Sequence, residues 1–337
     1  MKKLSTLLAT ACLMGSITLS PNTTFAKSNL LASPTGLGQA AQQGDKPDAA
    51  SEKKAYDAYN VARAEKDLAK QVTLIQESLN LYPKSQYVKF FKELLAANIG
   101  NRFQSEIKSE NIDNAYKIFT EEVTPNVPDL EVNYLLAFLD PLSRSAKKSD
   151  TPNAEKGTIV LNKTIDVIKT GKAPVNVPEW EKKKPAVLAS LYQTVGLYTW
   201  KASKKDDDAL NVFKESLAQD CSDPVTHYFV AELHKGKYDS LSKEYEGLSD
   251  DDKRGERGKE ILDKINAVVD QMLESYGRTL AVSESKAKVY EKLRTGVQGA
   301  TETFWMFRHE GKLEGLPEFL SKFKSECPGA NAIPGTN

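Results

Sequence analysis

Apolar residues recur along this 337-residue chain at the three- and four-residue spacing of buried helix faces, while the strict alternation of a half-buried strand is nearly absent. The stretch "KKAYDAYNVARAEKDLAKQVTLIQESLNLYP" holds two amphipathic helices in succession. The first carries Tyr56, Tyr59, Val61 and Ala62. The second carries Val72, Ile75, Ser78 and Leu79, and Pro83 ends it because proline has no N–H to continue the ladder. "VKFFKELLAAN" opens another helix at once. Further on, Ile159, Leu161, Ile165 and Ile168 mark one helix, followed by a proline-punctuated loop. A long helix from Gly255 to Leu280 aligns Ile261, Ile265, Val268, Val269, Met272, Leu273 and Tyr276. A last pair spans "AKVYEKLRTGVQGATETFWMFR" and "LEGLPEFLSKFKSEC", with Gly296, Gly299 and Ala300 placed for a close crossing. The predicted fold class is all-α.

One unit recurs. "LIQESLNLYPKSQY" and "VFKESLAQDCSDPVTHY" share an apolar residue, then Glu-Ser-Leu, a short exit, a proline and a following aromatic. Ahead of the second copy, Gly196 precedes Ala209 by 13 residues, and Phe213 follows four later. Between the copies, Ala115, Phe119 and Pro128 come in the same order, with the aromatic again four residues after the alanine. This pattern resembles the tetratricopeptide repeat (TPR) family, whose units of about 34 residues are antiparallel helix pairs. Gly196 stands at the family's small position in the first helix, Ala209 at its alanine in the second, Phe213 at its large apolar residue and Pro83 at its terminal proline. The departures are a Gly196–Ala209 spacing one residue longer than usual and a late Pro224.

The resemblance implies an α-solenoid of antiparallel pairs over residues 52–240, with an insertion around 140–185. A longer helical cap over 241–328 would close its open end, and 329–337 would form a disordered tail. It also implies a partner groove lined by the first helix of each pair. On that register Tyr56, Asn60, Arg63, Gln193, Trp200, Tyr228, Glu232 and Lys235 face a bound protein or peptide.

The N-terminus reads as an export signal over residues 1–26: Lys2 and Lys3, an apolar core, and "TFA" ending at Ala26. Cys12 offers a rival, cleavage before it and lipid attachment, although Ala9 stands where such sites usually carry leucine. Residues 27–51, rich in Ala, Gln, Gly, Pro and Ser, read as a flexible leader. No later stretch reaches the roughly 18 apolar residues of a span. Basic and acidic residues number 46 each, and losing the first 26 residues leaves a net charge of −2, so no strong field favours nucleic acid. Export places Cys221 and Cys327 in an oxidising compartment, where they either pair or stay separate thiols.

Candidate chemistry is sparse. The three histidines, His227, His234 and His309, form no chelating motif, since the first two lie two helical turns apart. "DDDKRGERGKEI" fails as a calcium loop because Arg254 and Ile261 occupy ligand positions; its acids suit the start of a helix instead. No nucleophile elbow or phosphate loop occurs, and no cofactor or metal is expected. Trp180, Trp200 and Trp305 either line a sugar groove or pack in the core. The expectation is a non-catalytic adaptor, exported to the bacterial periplasm or beyond. Two alternatives stand beside it: an envelope enzyme acting on glycans through acids and tryptophans, and an outer-membrane assembly platform held through Cys12.

Overall fold

A computed structural model describes residues 47–325 and 327. The expected signal segment and most of the expected leader lie outside the described residues, as does the expected tail. Among the described residues every regular element is helical.

The chain opens with α1 (Ala49–Ala64), α2 (Leu68–Leu81) and α3 (Val88–Lys108). Each start has a local cause. Asp48 accepts the Ser51 N–H at 2.7 Å, and Asp67 accepts those of Ala69 and Lys70 at 2.9 and 3.1 Å, satisfying donors that a first turn leaves unpaired. Helix α1 therefore begins three residues inside the expected leader. Pro83 sits in the turn after α2. Buried Gln71 ties the three helices together: its amide donates to the Ala62 carbonyl at 2.9 Å, and its Oε1 accepts from Asn98 at 2.8 Å.

Next come α4 (Ile112–Ile118), a π-helical turn (Phe119–Val123), α5 (Thr124–Asn126), α6 (Glu131–Ala137), α7 (Leu139–Lys147) and α8 (Ala154–Lys169). The segment expected as an insertion is built into the interior. Leu142, Ala146, Val160, Leu161, Ile165 and Ile168 belong to the same buried apolar cluster as Phe91, Phe103 and Phe213.

Then follow α9 (Trp180–Lys201), α10 (Asp206–Gln219) and α11 (Pro224–Glu246). Lys237 meets Asp207 at 2.6 Å and Phe229 meets Phe213 at 5.5 Å between ring centres, so α10 and α11 are antiparallel. Gln193 meets Thr226 at 2.7 Å and Trp200 meets Phe229 at 6.2 Å, so α9 and α11 run the same way.

The C-terminal part is α12 (Asp250–Arg254), α13 (Glu256–Ser283), α14 (Glu291–Arg308) and α15 (Leu316–Ser321). Arg308 grips Asp270 while Arg294 reaches the carbonyl of Leu280, which fixes α13 and α14 as antiparallel. Of Gly296, Gly299 and Ala300, expected at a close crossing, Gly299 makes none, while Ala300 packs against the second apolar cluster. A side chain at Gly299 would meet nothing within 4 Å, whereas one at Gly277 would fall 2.5 Å from the Phe323 ring. Among the described residues most buried apolar side chains gather in two clusters, and α11 belongs to both: Val230 and Leu233 are in the first, Val225 and Ala231 in the second. The boundary expected at residue 240 thus falls inside a helix that both cores share. Cys221, in the turn before α11, is bonded to Cys327 with 5.8 Å between Cα atoms.

Candidate functional site

The eight residues expected to face a partner fall in two separate places. Five lie on α9 and α11, where other parts of the protein engage them. Gln193 donates to the Asp223 carboxylate and to Thr226 Oγ1, whose hydroxyl in turn donates to Asp223 at 2.8 Å. Asp223 is also the N-cap of α11, so this network fastens the start of α11 to the middle of α9. Trp200 is half-buried, edge-on to Phe229.

Tyr228, Glu232 and Lys235 lie one turn apart along α11, facing α13. The Tyr276 hydroxyl donates to Glu232 at 3.0 Å. Burial raises the Glu232 carboxyl above the usual range, against the hydrogen bonds of Tyr276 and Tyr228 and the charge of Lys235. Burial and the neighbouring Glu232 charge drive the Tyr276 phenol far up. Lys235 pairs with Asp239 at 2.7 Å. These groups join α11 to α13 and to its own next turn; they are occupied.

The other three residues behave differently. Tyr56, Asn60 and Arg63 form an exposed stripe on α1. Tyr56, 48% exposed, packs its ring 5.4 Å from that of Tyr87, which lies 5.9 Å from the ring of Phe90, itself 44% exposed. Tyr59 fills the angle between them, 6.3 Å from Tyr87 and 5.9 Å from Phe90. Tyr56 and Phe90 are exposed, and with the half-buried rings of Tyr59 and Tyr87 between them they make one aromatic shelf along α1 and the start of α3. Its position is held by Glu52, which accepts from Ser85 Oγ at 2.8 Å and from the Gln86 N–H at 3.2 Å.

Tyr87, half-buried, and Phe90, exposed, are not among the residues expected to face a partner. The available signal was "YVKFF", where Tyr87 and Phe90 share one helix face and Phe91 turns inward. Phe91 is indeed fully buried.

The remaining chemistry is taken up in packing. Trp180 and Trp305 are core residues, and Trp305 donates to the Glu314 carbonyl at 3.2 Å. His227 donates from Nε2 to the Cys221 carbonyl at 3.0 Å, and burial lowers its pKa. His309 stacks on Trp305. Among the described residues no three His, Cys, Asp or Glu side chains gather to hold a metal, and no helix is long and apolar enough to cross a membrane. Comparison with protein-family models, curated proteins and solved structures returns no match.

Proposed function

We propose that this chain is a non-catalytic adaptor, a TPR-like helical scaffold that captures a protein or peptide through the aromatic shelf of Tyr56, Tyr59, Tyr87 and Phe90. The observation that carries this reading is the contrast between the two sets of expected groove residues. Gln193, Glu232 and Lys235 are spent on internal bonds and Trp200 and Tyr228 are half-buried against neighbouring helices, whereas Tyr56 and Phe90 of the shelf offer large rigid rings to solvent. Rings of this kind supply contact area at small cost in side-chain entropy and anchor many protein interfaces.

The solenoid part of the reading is supported locally. Helices α9 and α11 are parallel with α10 antiparallel between them, the order that stacked helix pairs produce. Gly196 lies against Phe213, where the family needs a small residue at a crossing. Export to the periplasm or medium is supported by the Lys2–Ala26 pattern and by the Cys221–Cys327 bond, which an oxidising compartment sustains.

The test is capture from envelope extract by the mature protein, by a Tyr56→Ala/Phe90→Ala double variant and by Glu232→Gln. A defined partner held by wild type and Glu232→Gln but lost from the folded double variant supports the shelf. Undiminished capture by the double variant, or no partner at all, removes it.

A further inference from the structure

Between α13, α14 and α15 lies a cavity of about 270 Å³. Leu280, Ala281, Pro317 and Leu320 give it apolar walls, and Arg294 lines it from α14. The guanidinium of Arg294 is fixed by a single nitrogen. Its Nη1 donates to the Leu280 carbonyl at 2.6 Å and to Ser283 Oγ at 2.9 Å, across the C-terminal end of α13. The Nε–H and Nη2–H edge is therefore left over, and it meets no acceptor among the described residues.

That edge is the fork that grips a carboxylate with two parallel bonds. The same helix shows the completed version. Arg308 donates from Nε to Asp270 Oδ1 at 2.7 Å and from Nη2 to Oδ2 at 3.0 Å. Glu284, the acid lining this cavity, is paired with Lys324 at 3.1 Å. The uncompensated charge at the cavity is thus the Arg294 cation, seated beside apolar walls.

We propose that this cavity binds a small organic carboxylate with an apolar tail, its carboxylate held by Nε and Nη2 of Arg294 and its tail lying against Leu280, Ala281 and Leu320. At roughly 30 Å³ per water-sized group the space holds about nine non-hydrogen atoms, which suits a tail of several carbons rather than a long acyl chain. This site is independent of the adaptor reading and stands or falls separately.

The test uses the full mature chain with its disulfide closed, and hexanoate, 1-hexanol and acetate as probes. Binding is followed by calorimetry and by the methyl resonances of Leu280 and Leu320. Hexanoate is expected to bind saturably with a Kd of about 0.1–1 mM, the range open to so small a ligand. Hexanol and acetate are expected to bind at least about tenfold more weakly, because each lacks one half of the recognition. Arg294→Gln should bring hexanoate down to the level of hexanol. Ala281→Phe, which fills the space and leaves the arginine in place, should abolish hexanoate binding. Hexanoate bound no better than hexanol, or bound equally by wild type and either folded variant, overturns the proposal.

Discussion

Gly196 of α9 lies so close to Phe213 of α10 that a Cβ built on the glycine would stand 2.6 Å from the ring carbon Cε1. A side chain there requires the Phe213 ring or the helix that bears it to move, so the glycine is what lets the ring lie against α9. Gly236, in the middle of α11, has nothing within 4 Å of the same built atom. The two glycines therefore predict opposite responses to one substitution. Gly196→Ala should destabilise by up to about 2 kcal/mol, an overpacking cost of about 1–3 kcal/mol less a gain of about 1 kcal/mol in helix propensity. Gly236→Ala should stabilise by about 0.5–1 kcal/mol through propensity alone. Denaturant titration of both variants checks the pair; the same sign in both would refute the crossing argument.

The Cys221–Cys327 bond joins residues 106 apart in sequence and fastens the segment whose Phe323 seats on Gly277. A crosslink over so long a loop removes much freedom from the unfolded chain. Reduction, or a Cys221→Ser/Cys327→Ser double variant, should cost about 2–4 kcal/mol in the two-state model. Denaturation with and without reductant measures it. An unchanged midpoint would mean that the segment around Phe323 holds its place on Gly277 by packing alone.

The amphipathic helices were legible because their faces repeat without outside help. In α13 the residues Ile261, Ile265, Val269, Met272, Leu273 and Tyr276 are buried as their spacing implies. The partners of the expected groove residues were not legible. Asp223 for Gln193, Phe229 for Trp200 and Tyr276 for Glu232 come from other helices, and helical periodicity says nothing about which face meets which. The shelf escaped for the same reason: Tyr87 becomes a neighbour of Tyr56, and Phe90 of Tyr59, only when α1 and α3 lie side by side. Gly299 and Gly277 look alike in sequence, yet only what packs opposite each decides whether a small residue matters there.

Glu232 gives a pH dependence whose sign follows from its burial. Its carboxyl is raised in the folded state, so the native protein binds the proton more tightly than the unfolded chain. This contribution makes stability fall as pH rises through the interval between the unfolded value, about 4.3, and the raised folded one. Glu232→Gln keeps an acceptor for Tyr276 and removes the titration. Relative to wild type, the variant should gain stability as pH rises above the unfolded value of about 4.3. Thermal unfolding at a series of pH values tests this, and parallel profiles would remove Glu232 as the cause.

His227 acts in the opposite direction. Burial lowers its pKa, partly offset by its bond to the Cys221 carbonyl, and the Arg278 charge lowers it further. A histidine held neutral in the native state stabilises fully above the unfolded value of about 6.5, and the contribution is lost as pH falls below it. His234, also lowered chiefly by burial, adds the same sign. His227→Gln retains a donor for the Cys221 carbonyl but cannot take up a proton. Between pH about 7 and 5 it should lose less stability than wild type, measured in the Glu232→Gln background so that the opposing carboxyl is silent. Equal losses in both proteins would show that His227 titrates alike in the folded and unfolded chains.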